Sequence, residues 1–181
     1  MKTKDMVLTG MLTAVLAVLS IIQIPMPSGV PITLQTFAVA LCGYVLGSKR
    51  GTISVILYVL IGAVGVPVFA GMTGGFAALV GAAGGFLFGF IPMAFLVGLG
   101  VRSKHKVLSV IWGVAGLAVC HVFGVLQFSI VTGTGLAASF GMASAPFLIK
   151  DVLSVIGAAV VAVAVRKGLA GANLMNSEQA A

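Results

Sequence analysis

The sequence predicts an all-α integral membrane protein with six transmembrane helices and both termini in the cytoplasm, on three observations. The first is composition: 60% of the 181 residues are hydrophobic, 7% are charged and the mean hydropathy is +1.25, whereas soluble domains are about a quarter charged. The second is length. Crossing ~30 Å of hydrocarbon takes about 20 apolar residues, or fewer for a partial span, and six runs fit that scale: residues 6–24, 32–48, 52–68, 79–101, 107–131 and 147–165. The third is the placement of charge, since cytoplasmic loops retain Lys and Arg. If the helices alternate, Lys2 and Lys4, Lys49 and Arg50, Arg102, Lys104 and Lys106, and Arg166 and Lys167 fall on one side, leaving Lys150 as the exception among 10 basic residues. A single domain, residues 1–181, follows. The net charge of +7 is thereby explained by topology. Nucleic acid is excluded as a partner, because the short basic loops lack the stacking aromatics of such a surface.

The first run is longer than a signal-peptide core and leads into Pro and Gly without a small-x-small cleavage site, so it reads as a retained helix. Gly10, Thr13, Ala14 and Ala17 put small residues close together on it, which permits near approach of another helix. That neighbour is either part of the same molecule or a separate subunit.

Pro25, Pro27 and Pro31 then deny the first outer connection a regular helix, and Gly29 offers a turn. Thr33, Gln35 and Thr36 follow. Threonines here serve local backbone bonding, but a glutamine at membrane depth requires a partner, which makes Gln35 a candidate to face a site. Gly47-Ser-Lys-Arg-Gly51 reads as a tight cytoplasmic turn, with Gly43, Gly47 and Gly51 at a spacing suited to helix contact. Tyr44 and Tyr58 read as packing or interfacial residues.

The second outer connection is the most glycine-rich part of the chain: Gly65, Gly71, Gly74 and Gly75, then Gly81, Gly84, Gly85 and Gly89. It contains no Gly-Lys-Ser/Thr element, so a phosphate-binding loop is not expected. Non-helical backbone at membrane depth is tolerated where it is buried in protein or lines a cavity, and the segment 69–76 is therefore a candidate pocket wall. In the fifth run, His121 and Gln127 are polar. A histidine without a second ligand at suitable spacing is not a metal site, and the expectation is an interhelical hydrogen bond. Trp112 suits an interfacial anchor. Residues 132–144 form a small, polar, uncharged connection that either folds over a ligand or is simply a loop. Cys42 and Cys120, inside apolar runs, read as small buried residues.

At the start of the sixth run, Ser144 is a candidate helix cap and Pro146 a first-turn residue. Lys150 and Asp151 follow. A charge at membrane depth is expensive without partners and reads as functional. Asp151 suits the positive end of the helix dipole, whereas Lys150 opposes it. Adjacent residues diverge by about 100° around a helix, so the two need not form one ion pair.

Val30-Pro-Ile-Thr-Leu-Gln-Thr-Phe37, Gly47-Ser-Lys-Arg-Gly51, the run from Leu57 to Gly71 (Leu-Tyr-Val-Leu-Ile-Gly-Ala-Val-Gly-Val-Pro-Val-Phe-Ala-Gly) and Gly84-Gly-Phe-Leu-Phe-Gly-Phe90 together resemble the BioY family. These are the biotin-specific S components of energy-coupling factor (ECF) transporters. The resemblance implies an S-component fold in the cell (plasma) membrane and capture of biotin on the outer side. It also implies transport powered by a separate transmembrane coupling subunit with two ATPase subunits. The family docks its partner through an Ala-x-x-x-Ala motif on the first helix, to which Gly10-x-x-x-Ala14 and Thr13-x-x-x-Ala17 are the nearest forms here. On this reading Asp151 accepts ureido N–H bonds and Lys150 assists through the ureido carbonyl or the carboxylate. Gln35, Thr33, Phe69, Gly71, Gly74, Gly75, Gly84 and Gly85 complete the pocket. No cofactor, metal or catalytic activity is expected, since the sequence holds no activated nucleophile, carboxylate pair or metal cluster. A stand-alone solute facilitator and an S component for another vitamin are the competing classes.

Overall fold

The computed structural model describes residues 3–101, 103 and 105–175. Lys2, Arg102 and Lys104, used above in assigning orientation, lie outside the described residues. Helix α1 (Thr3–Ile21) leads into a short antiparallel pair, β1 (Gln23–Ile24) and β2 (Ile32–Thr33), with Gln23 opposite Thr33 and Ile24 opposite Ile32. Then come α2 (Gln35–Ala63), a 3-10 turn (Ala70–Met72), α3 (Phe76–Val80), α4 (Gly84–Gly100), α5 (Lys106–Thr132), α6 (Leu136–Ala143) and α7 (Leu148–Gly171). Among the described residues, α1, α2, α5 and α7 are long and apolar enough to cross a membrane, and α4, with 17 residues, is shorter.

Helix α2 is not straight. At Gly47 the backbone takes φ 77°, ψ 177°, a conformation open to glycine and strained for other residues. The chain folds back there. In a continuous helix residues 43 and 51 would stand ~12 Å apart, yet a Cβ on Gly51 would lie 2.9 Å from the Gly43 Cα and 2.8 Å from the Cys42 carbonyl oxygen. Ser54 Oγ likewise reaches Cys42 Sγ at 3.7 Å. Residues 35–46 and 48–63 are therefore antiparallel arms in contact along a glycine face. The turn expected at residues 47–51 is present, compressed to one glycine.

The other boundaries shift for identifiable reasons. The first run was expected to remain helical to Ile24, but α1 stops at Ile21 because Pro25 favours extended backbone at the residue before it. The second was expected from Ile32, which instead pairs in β2. The fourth is broken: α3 ends at Gly81 in extended conformation (φ −72°, ψ 174°), and α4 starts only at Gly84. The connection 132–144 holds the helix α6, and α7 continues past Arg166 and Lys167 to Gly171.

Close approach through glycine holds the bundle together. A Cβ on Gly43 would lie 2.8 Å from Val97 of α4, one on Gly89 would lie 2.8 Å from the Cys120 Cα of α5, and the Gly98 position abuts Ser48. Lipid is as apolar as the side chains, so such backbone proximity, with dispersion contacts, supplies much of the association between membrane helices. One end of the bundle gathers charge. Arg50, beside the α2 reversal, forms an ion pair with Asp5 of α1, and Lys4 Nζ donates to the Asn173 carbonyl at 2.8 Å. Tyr44 Oη donates to the Ser109 carbonyl at 3.3 Å, bringing the start of α5 to the same end. The β pair, the 3-10 turn, α3, α6 and the start of α7 make up the opposite end.

Replacing Gly51 with Leu drives a side chain into the backbone of the other arm. The expected result is destabilisation by about 3 kcal/mol, read as a lowered melting temperature of the detergent-solubilised protein. Gly10→Leu, where a Cβ meets nothing within 4 Å, should leave that temperature unchanged.

Candidate functional site

A cavity of about 570 Å³ opens at the end of the bundle away from the α2 reversal, within the size range of small-molecule sites. Its apolar wall comes from Phe69, Phe86, Leu87, Phe90, Leu117 and Phe147, and its polar groups are Gln23, Thr33, Gln35, Thr36, Thr73, His121, Lys150 and Asp151. Three parts of the fold thus converge: the β2–α2 junction, the middle of α5 and the first turn of α7.

Lys150 and Asp151 are in contact. The ammonium of Lys150 lies against Asp151 Oδ1 and donates to the Thr33 carbonyl at 3.0 Å. Although neighbouring residues diverge around a helix, the two do form an ion pair, because the long lysine side chain folds back along its own helix to the carboxylate. Asp151 is buried, 5% exposed, while the side chain of Lys150 keeps 32% of its surface open. A carboxylate offers about four acceptor sites, more than Lys150 alone uses, and Asp151 lines the cavity.

The second oxygen has a different neighbour. His121 Nε2 stands 3.3 Å from Asp151 Oδ2, and His121 Nδ1 pairs with Ser144 Oγ at 2.7 Å. His121 thus has a hydrogen bond to the α6–α7 connection and a polar contact with α7, where an interhelical hydrogen bond was expected, and it also lies at the cavity. Nothing in its spacing announced this, because the contact spans α5 to α7. Ser144, expected to cap α7, bonds His121 instead, and the cap position belongs to Phe147, which has no side-chain capping bond.

Gln35 faces the cavity with its polar head largely engaged. Its Nε2 donates to Tyr58 Oη at 2.8 Å, its Oε1 accepts from Thr33 Oγ1 at 3.0 Å, and its backbone N–H donates back to Thr33 Oγ1 at 3.2 Å. Tyr58 is fully buried and meets the ring of Phe69 edge-on, centroids 5.4 Å apart at 77°. Phe69 in turn lies over Gly62, where a Cβ would strike its ring. Tyr58, read from sequence as packing, thus braces both Gln35 and Phe69.

The expected glycines divide. Gly74 lines the cavity, whereas Gly71, Gly75, Gly84 and Gly85 do not. Gly71 (φ 65°) sits under the side chain of Gln23, Gly75 (φ 91°) precedes α3, and Gly84 and Gly85 pack against Leu79 and Phe123 with the Gln127 side chain over both. Gln127 Nε2 donates to the carbonyls of Leu79 at 2.6 Å and Gly81 at 2.8 Å, so these glycines shape the broken α3–α4 segment behind the wall. On α1 the small residues also separate: Gly10 and Ala14 are exposed and Ala17 is half-buried. Thr13 points inward, bonding the Thr9 carbonyl at 2.8 Å and Ser54 Oγ at 3.0 Å.

Fold and cavity together define an α-helical membrane protein with a small-molecule site at one end of its bundle. The chain belongs to the BioY family, whose model matches residues 1–171. It is 41% identical over 169 residues to the biotin transporter BioY of Thermotoga maritima, covering 91% of this chain and 96% of that one. It is 35% identical over 173 residues to the biotin transporter BioY of Rhodobacter capsulatus, covering 88% and 91%. Its structure resembles that of the S-component for biotin from an ECF-type ABC transporter, with a TM-score of 0.84 at 26% identity over 92% of this chain and 95% of that one.

Removing the Tyr58 hydroxyl leaves a buried Gln35 donor without its partner. Tyr58→Phe should therefore cost about 1–3 kcal/mol, measured as a fall in thermal stability while the ring packing on Phe69 is retained.

Proposed function

We propose that this protein is the biotin-binding S component of an ECF-type ABC transporter, capturing biotin on the outer side of the cell membrane. It then delivers the vitamin with the help of a transmembrane coupling subunit and two ATPase subunits. The observation that carries this reading is the pairing, in one cavity, of a buried carboxylate with an adjacent ammonium. The ureido ring of biotin has two N–H donors and one carbonyl, and its thiophene-derived ring is apolar. Membership of the family and the names of its relatives agree with that ligand.

The Asp151 carboxylate accepts an N–H of the ureido ring. Lys150 is held against Asp151, so it serves the same head group and donates to the ureido carbonyl, while the carboxylate lies at the far end of the alkyl chain. Gln35, Thr33, Phe69 and Gly74 surround the ring system. Six membrane segments, with both arms of α2 counted and both termini cytoplasmic, put this cavity outside. Support comes from the gathering of Lys4, Arg50 and the start of α5 at the other end. The exposed Gly10 and Ala14 face of α1, with Ala17 beside it, is the docking surface for the coupling subunit, and Thr13 belongs to the internal packing.

The test is biotin binding by the purified protein in nanodiscs. Asp151→Asn turns part of an acceptor into a donor and should weaken binding about 10-fold or more. Lys150→Ala should weaken biotin and biotinamide alike. A loss confined to biotin would assign Lys150 to the carboxylate, and wild-type affinity in both variants would overturn the site. For the docking face, Ala14→Trp should leave biotin binding intact while lowering ATP-dependent uptake in cells that also express the partner subunits.

A further inference from the structure

We propose that His121 is a positioning residue for the ligand: its contact with Asp151 Oδ2 fixes the rotation of the carboxylate that serves the bound head group. The inference rests on Asp151 being the ligand acceptor. Three contacts fix the imidazole of His121, which is 6% exposed. Nδ1 lies 2.7 Å from Ser144 Oγ, Nε2 lies 3.3 Å from Asp151 Oδ2, and the ring of Phe86 meets it edge-on at 5.7 Å and 90°.

The chemistry of these partners decides the tautomer. A carboxylate only accepts, so Nε2 carries the hydrogen, and in the neutral ring Nδ1 is left to accept from the Ser144 hydroxyl. Ser144 is itself held, its backbone N–H donating to the Phe140 carbonyl at 3.0 Å on the α6–α7 connection. A path of polar contacts thus runs from α6 through α5 to the first turn of α7, and it ends on Asp151 Oδ2. Without it the carboxylate could rotate and share its two oxygens among Lys150 and the ligand, as free carboxylates do. No group of three metal-ligating side chains stands near His121 among the described residues, which leaves the hydrogen-bonding role as the one its surroundings support.

Glutamine and asparagine separate the two ring nitrogens experimentally. A glutamine amide reaches the place of Nε2 and retains a donor to Asp151, whereas an asparagine amide reaches only that of Nδ1 and retains the Ser144 contact. Biotin binding by the full chain in nanodiscs, with melting temperature recorded in parallel, should show His121→Gln within about 3-fold of wild type and His121→Asn weakened by about 10-fold. In an Asp151→Asn background the Asn substitution should add less than about 2-fold, because partners in one network are not additive. Equal losses for Gln and Asn, or a loss for Asn that persists undiminished in the Asp151→Asn background, would overturn the positioning role and leave His121 as packing. If Asp151→Asn alone binds biotin as wild type does, the reading of Asp151 as acceptor fails first. If that variant is weakened and His121→Asn is not, only the present inference fails. Should His121→Asn not accumulate as folded protein, His121→Phe, which keeps the contact with Phe86 and removes both nitrogens, takes its place in the same cycle.

Discussion

A carboxylate inside an apolar bundle imposes a condition on everything around it. Desolvating such an ion costs several kcal/mol even after relaxation, and Asp151 is buried at the first turn of α7. The bundle meets the condition from three directions: the Lys150 ammonium, the His121 imidazole of α5 and the positive end of the α7 dipole. Lys150 is tied in turn to the Thr33 carbonyl, so the β2–α2 junction is recruited as well. One charge thereby registers three segments distant in sequence. The same arrangement sets a carboxylate and an ammonium side by side on the cavity wall.

The second constraint is backbone proximity. The arms of α2 touch through Gly43 and Gly51, α4 enters against them at Gly98, and α5 meets α4 at Gly89. Side chains at these points would push the helices apart, and the cavity wall shared by α4 and α5 would open. Phe69 and Tyr58 show the complementary device. A large ring fills the space left over Gly62, and its neighbour's hydroxyl orients the glutamine at the start of α2. Glycine-rich sequence in this protein therefore serves two purposes. At Gly47 it permits a reversal of the chain, and at Gly84 and Gly85 it lets the segment behind the cavity pack flush on α5.

The separation of charge along the bundle axis gives the molecule its polarity. Ion pairing at one end, between Arg50 and Asp5, joins α1 to the α2 reversal, whereas the only described charges lining the cavity at the other end are Lys150 and Asp151. The expectation of cytoplasmic termini rests on the basic residues, because Lys and Arg are retained in cytoplasmic loops.

What the sequence determined by itself was the membrane class, the lengths of α5 and most of α1 and α7, the turn near Gly47, and the candidacy of Lys150, Asp151, Gln35, Thr33 and Phe69. Each follows from local quantities: hydropathy over a window, a glycine between basic residues, an ionisable group in an apolar run. Tertiary structure alone decided that Lys150 turns back onto Asp151, that Ser144 pairs with His121 instead of capping α7, and that Gly71, Gly75, Gly84 and Gly85 stand behind or beside the cavity. It also decided which side of α1 faces in, burying Thr13 and leaving Gly10 and Ala14 outside. These outcomes depend on which helices become neighbours and at what rotation. His121 and Asp151 are 30 residues apart, and no periodicity along a chain encodes the distance between two side chains on different helices.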